Sequence, residues 1–234
     1  MPISEVKCCD CMDFMAQFPD KFFDLAIVDP PYGINVSFSG CGSRTKKYNR
    51  SKSKNWDSNA PSEHYWSELF RVSQHQIIWG MNYFTLPPCK GFIVWDKRQP
   101  DGVTFAQAEI AYCSVAQTSK IFRLSPIGQS NRIHQAQKPV ALYVWLLENY
   151  AKPGDKILDT HMGSQSSRIA AWKMGFDYWG CEIDQEYFDQ GCARFETERK
   201  QMGLFMQFKE PEQKTLFRGG DPNVRTMETS QPDN

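Results

Sequence analysis

The chain has 234 residues, 41% apolar and 14% aromatic, with 27 basic and 27 acidic side chains and therefore no formal net charge. That length supports one well-buried domain and leaves little for a second. No apolar run approaches the roughly 20 residues that a membrane span needs, and no charged-then-apolar leader opens the sequence, so a soluble intracellular protein is expected.

The eight cysteines read as free thiols of a reducing cytosol. Cys8, Cys9 and Cys11 stand too close for an ordinary disulfide framework, and no zinc-type spacing is present, so no metal site is expected. The zero total charge hides an uneven distribution. Arg44, Lys46, Lys47, Arg50, Lys52 and Lys54 crowd one stretch without an acid, which leaves the rest of the chain net acidic.

In chain order, residues 6–9 read as a strand, 12–18 as a short helix and 24–29 as a buried apolar strand. The polar Gly/Ser/Lys-rich segment 37–59 has the length and composition of a mobile functional loop. A helix is expected from Pro61 to about residue 72, then strands at 76–79, 91–95, 109–113 and 120–124. Pro139 opens a helix to about residue 150, which Pro153-Gly154 ends. Strands at 156–159 and 178–182 then alternate with helices at 164–174 and 185–201. This rhythm predicts an α/β fold with a doubly wound, mainly parallel sheet and helices on both faces. Residues 1–202 form the single domain in this reading, and the polar, proline-bearing residues 203–234 a mostly flexible tail.

Strand 24–29 runs directly into Asp29-Pro30-Pro31-Tyr32, and open α/β sheets place their chemistry at such strand ends. A planar aromatic amine is a poor nucleophile because its lone pair is delocalised. Asp29 can accept one amine hydrogen and the Pro30 carbonyl the other. Pro30 and Pro31 have fixed φ and no N–H, so that carbonyl stays in place, and Tyr32 offers a face for stacking. Further on, Asp159-Thr160-His161-Met162-Gly163-Ser164 lies between a strand and a helix, where a glycine turn lets backbone amides approach a ligand. The next strand ends in Cys181-Glu182-Ile183-Asp184, and an acid there is placed to grip ribose hydroxyls.

Asp-Pro-Pro-Tyr followed by these turns resembles the S-adenosylmethionine-dependent DNA amino-methyltransferases, in the β order of motifs, over most of residues 5–195. The resemblance implies a Rossmann-like methyltransferase domain. Its Asp form points to adenine-N6, whereas cytosine-N4 enzymes more often carry Ser. It implies that Asp29, Pro30, Pro31 and Tyr32 handle a flipped-out base, that Asp159 faces the methionine amine, and that Gly163 and Ser164 form the cofactor turn. Glu182, with Ile183 beside it, would hold the ribose. Lys138-Pro139 resembles the motif beside the methionine moiety, and Cys9-Asp10-Cys11 a segment that places Asp10 and the Cys11 amide near the cofactor adenine.

The family turn usually reads Asp-Pro-Phe-x-Gly-Ser-Gly, and this chain departs from it at Thr160, His161 and Gln165. His161 is expected to be a flat packing wall, and Gln165 acceptable if the helix begins at Ser164 and needs no positive φ there. Double-stranded DNA is the implied partner, with phosphate contacts from Arg44 to Lys54 and base readout by that loop and by Arg132, His134 and Gln137. The implied setting is the cytoplasm and nucleoid of a bacterial or phage-infected cell. Gln213, Leu216 and Phe217 resemble a bacterial sliding-clamp peptide, unless Leu216 and Phe217 fold back on the domain or a dimer mate. The contrasting readings are a cytosine-N4 enzyme, a protein-glutamine methylase, against which the basic loop argues, and a catalytically silent nucleic-acid binder.

Overall fold

The structure is a computed structural model that describes residues 1–34, 57–102, 106–126, 133 and 136–207, with side chains described through 201. Its elements are β1 (Ser4–Cys8), α1 (Cys11–Met15), β2 (Phe23–Val28), α2 (Glu63–Val72), β3 (Ser73–Trp79), a 3-10 turn (Met81–Tyr83), β4 (Phe92–Asp96) and β5 (Ala108–Cys113). They continue with β6 (Lys120–Arg123), α3 (Val140–Tyr150), β7 (Lys156–Asp159), α4 (Ser166–Met174), β8 (Asp177–Glu182) and α5 (Gln185–Gln207). Met1–Arg199 make up one compact unit and Lys200–Asn234 another.

The eight strands form one sheet in the order β1-β8-β7-β2-β3-β5-β4-β6. Every pairing is parallel except the two made by β5, which runs against both β3 and β4. Central strand β2 is apolar almost throughout because both its faces are covered. Leu25 and Ile27 join a core with Leu142 and Leu146 of α3 and Ala170 and Ala171 of α4. Ala26 and Val28 join the opposite core with Phe14 of α1 and Leu69 and Val72 of α2. The doubly wound fold is therefore the expected one.

Boundaries differ where side-chain pattern is a weak guide. α5 continues through Gly203 to Gln207, past the point where the tail was expected to start. One glycine costs a helix only about 1 kcal/mol, and its flanking residues are good helix formers. Among the described residues no helix is long and apolar enough to cross a membrane.

Candidate active site

Strands β2 and β7 are neighbours at the centre of the sheet, so their carboxyl ends bring Asp29 and the 159–164 turn together. Asp29 Oδ1 accepts a hydrogen bond from the Tyr32 hydroxyl at 2.8 Å. Its Oδ2 accepts one from Lys138 Nζ. Burial pushes the Asp29 carboxyl up from its ordinary pKa, the Lys138 ammonium opposes that, and Glu109 adds to it. Asp57 Oδ1 accepts from the amides of Tyr32 and Gly33, at 2.6 and 3.1 Å, and so fixes the turn that follows the two prolines.

The Tyr32 ring is set from the neighbouring strand end. Gly80 follows β3 with φ of +74°, and a Cβ there would lie 2.3 Å from Tyr32 Cε1. Tyr83 stacks on Tyr32 with centroids 4.8 Å apart and planes 15° from parallel. One face of Tyr32 is thus already occupied, which leaves at most the other for a base.

Beside Asp29 opens a cavity of about 410 Å³, within the usual size of ligand pockets. Its walls bring together Asp29, Pro31 and Lys138 with the turn residues His161, Gly163 and Ser164, and Glu182 and Ile183 close another side. Glu182 Oε2 accepts from the Gly163 amide at 2.8 Å and Oε1 from the Asp184 amide at 3.0 Å. Ile183 is 69% exposed, an apolar side chain free to cover a ring. A smaller cavity of about 220 Å³ includes Cys11, Ser62 and Tyr65, and shares Pro31 and His161 with the first. Burial takes the His161 imidazole down to about 4, so it is neutral at pH 7, edge-on to Tyr65 at 5.5 Å. Acids on the wall, a flat neutral ring and an exposed apolar residue suit a cationic, ribose-bearing ligand.

A family model described as DNA methylase matches residues 78–192. YubD of Escherichia coli (strain K12), named as a methylase, is 26% identical over 82% of this chain and 90% of its own. Over these residues the chain is similar to the N6/N4 DNA amino-methyltransferase family. The type II methyltransferase M.HinfI of Haemophilus influenzae is 24% identical over 77% of this chain, and the match spans 65% of that protein, just under two thirds. The M1.HpyAVI–SAM complex aligns with a TM-score of 0.53 at 17% identity, over 81% of this chain and 98% of that one. The cytosine-N4-specific PvuII DNA methyltransferase aligns with a TM-score of 0.55 at 11% identity, over 88% and 93%. Those two likenesses speak for the fold. Methyltransferases of this family take their methyl group from S-adenosylmethionine.

Against the family pattern, some sequence expectations move. Asp159 does not reach the cavity wall: it is 2% exposed, and its oxygens accept from the His161 amide at 3.0 Å and the Ser167 hydroxyl at 2.6 Å. Burial raises it to about 7. Asp10 is exposed and caps α1 through the Met12 amide at 2.7 Å, while Cys11 lines the smaller cavity. Gln137 is buried, lines the larger cavity and accepts from the Ile133 amide at 3.1 Å.

Gln165 corrects the reading of the turn. α4 begins at Ser166, and Gln165 before it has φ of +58°, the left-handed conformation that the family glycine adopts without cost. Arg44, Lys46, Lys47, Arg50, Lys52, Lys54, Arg132, His134, Gln213, Leu216 and Phe217 lie outside the described residues. Sequence reasoning missed Asp57 and Glu109, and it gave no individual role to Gly80, Tyr83 and Lys97, which stand in segments resembling the family's intermediate motifs. For Glu109 a signal existed, since it is a lone acid inside an apolar strand pattern.

Proposed function

We propose that the protein transfers a methyl group from S-adenosylmethionine to the exocyclic N6 of an adenine flipped out of double-stranded DNA. The observation that carries this reading is Asp29, held by Tyr32 and Lys138 on the wall of a cavity of about 410 Å³ that also holds Glu182, His161 and Ile183. The cofactor supplies an electrophilic methyl on a sulfonium. Asp29 accepts one hydrogen of the target amine and the Pro30 carbonyl the other, which turns the amine lone pair out of conjugation and toward that methyl. Gly163, Ser164 and Glu182 would hold the cofactor with Ile183 and His161 beside it, and Asp159 stiffens the turn from behind. Alignment supplies most of the acceleration, and Asp29 is the nearest acceptor for the proton that the methylated amine sheds. Extrusion of the base costs a few kcal/mol, and stacking on the Tyr32 face turned away from Tyr83 would offset part of it. Asp at the head of the motif supports adenine over cytosine.

The test is label transfer from methyl-tritiated cofactor to DNA, followed by digestion to nucleosides. Counts in N6-methyladenine are expected, and counts in N4-methylcytosine would overturn the adenine reading. Asp29→Ala should lose at least about a hundredfold in kcat while binding the cofactor within a few-fold. Parallel loss of cofactor binding would show that Asp29 serves the cofactor and not the amine. The proposal extends to a sliding-clamp contact through Gln213, Leu216 and Phe217. A peptide of residues 209–219 should bind purified clamp in the micromolar range and lose that binding when Leu216 and Phe217 become Ala.

A further inference from the structure

The only antiparallel strand among those described puts an acid where parallel strands end. β5 pairs in register with β4, Glu109 opposite Trp95, so the start of β5 lies beside the carboxyl ends of β3 and β4. Glu109 Oε2 there lies 3.1 Å from Lys138 Nζ, and its Oε1 lies 2.5 Å from Lys97 Nζ. Lys138 itself is 3% exposed at the side chain and also pairs with Asp29. The four groups alternate in sign along one line: Asp29, Lys138, Glu109, Lys97. Each ammonium has an indole for company, Lys138 at 5.2 Å from the Trp79 ring and Lys97 at 5.1 Å from that of Trp95.

Such a line is a poor source of stability. Desolvating buried charges costs several kcal/mol per ion, and an apolar filling of equal volume serves a core as well or better. Its position at the cavity mouth points to another use. Lys138 precedes Pro139, whose ring confines the lysine backbone to the extended region. Lys138 Nζ stands between two carboxylates, donating to Asp29 Oδ2 and lying 3.1 Å from Glu109 Oε2, and its three N–H donors can serve both. Resting on the reading of Asp29 as the group that engages the target amine, we propose that Lys138, Glu109 and Lys97 are positioning residues. Glu109, itself balanced by Lys97, takes part of the charge of Lys138, so that Asp29 is oriented and ionised without being neutralised as an acceptor.

The groups facing Asp29 are Tyr32 from its own loop, Lys138 from just before α3, Tyr143 from the first turn of α3, Glu109 from β5 and Asp159 from β7. Among them Lys138 lowers the Asp29 pKa and Glu109 raises it. Activity requires the ionised carboxylate and therefore fades as pH falls through that pKa. Glu109→Gln should shift the acid limb of kcat to lower pH by about one unit or more, and Lys138→Gln should shift it upward. Lys97→Gln, a milder change at a residue nearer the surface, should also move it upward, because Glu109 is then less balanced. Glu109→Gln should lower kcat about tenfold at neutral pH through lost alignment, with cofactor affinity little changed.

The carboxyl carbon-13 resonance of Asp29 in ligand-free protein reads the same shifts without turnover. Opposite displacement of that titration by Glu109→Gln and by either lysine variant is the expected result. Displacement in one common direction, or none, overturns the inference even if the wild type methylates DNA. Opposite displacement in a protein that transfers no methyl group would uphold the charge line and overturn the methyl-transfer reading alone.

Discussion

At the scale of single residues, Gly80 has no chemistry of its own yet sets the Tyr32 ring. Its φ of +74° and the 2.3 Å that would separate a Cβ from Tyr32 mean that Gly80→Ala must displace the ring, the backbone or both. Displacement of about 1 Å can cost a hundredfold in rate, so we expect kcat to fall by at least about tenfold. Cofactor affinity, measured by calorimetry, should stay near wild type, and unchanged kcat would show that the Tyr32 ring position is irrelevant. His161 gives a second expectation, on stability. Its ordinary pKa of 6.5 falls to about 4 in the fold, so the unfolded chain takes up the proton first. The stability present above pH 6.5 is therefore lost as pH falls toward 4, by about 2 kcal/mol after a discount for the partly open ring. Asp159, raised from 3.8 to about 7, works in the other sense and loses stability as pH rises through 7. His161→Phe should thus match wild type near pH 7.5 and exceed it near pH 5. Equal differences in urea midpoint at both values would mean that His161 titrates normally.

At the scale of elements, α5 compensates for the departure in the cofactor turn. Left-handed Gln165 is held by Arg168 Nη1 donating to its Oε1 at 2.9 Å and by its own Nε2 donating to Phe188 O at 3.2 Å. Arg194 Nη1 donates to Ser164 O at 2.6 Å. Gly191 in mid-helix leaves the space, since a Cβ there would come within 2.7 Å of the Gln165 side chain. Helix propensity alone favours alanine at Gly191 by about 1 kcal/mol. Gly191→Ala should nevertheless weaken cofactor binding, by about tenfold, and Gln165→Gly added to it should restore most of that affinity. A double variant no better than Gly191→Ala would show that the two positions are not coupled. This compensation illustrates what the sequence could and could not disclose. β2 and β7 were legible because a strand covered on both faces is apolar throughout, and the motifs at their ends followed. An apolar run carries no direction, so the reversal of β5, and with it the arrival of Glu109 beside Lys138, was not legible. Nor was the positive φ of Gln165, because apart from Arg168 the residues that make it tolerable, Phe188, Gly191 and Arg194, lie in α5.

At the scale of the whole molecule, zero net charge gives no general attraction to a polyanion, so affinity for DNA must come from local concentration of cations. The six basic residues from Arg44 to Lys54 stand without an acid between them, in the segment that follows the candidate catalytic motif. Each phosphate neutralised releases condensed counterions, and the logarithm of affinity falls with the logarithm of salt by about 0.9 per contact on duplex DNA. If Lys46, Lys47, Arg50 and Lys52 all meet phosphates, their joint replacement by Gln should flatten that slope by up to about 3.6. Phosphate contacts position a duplex without reading it, so the loss should be the same on every sequence tested, and cofactor affinity should be untouched. Fluorescence anisotropy of labelled duplexes between 50 and 300 mM salt, roughly the range over which such slopes are resolved, provides the measurement. A slope equal to that of wild type would remove these four residues from the DNA interface and leave binding to cations elsewhere on the chain.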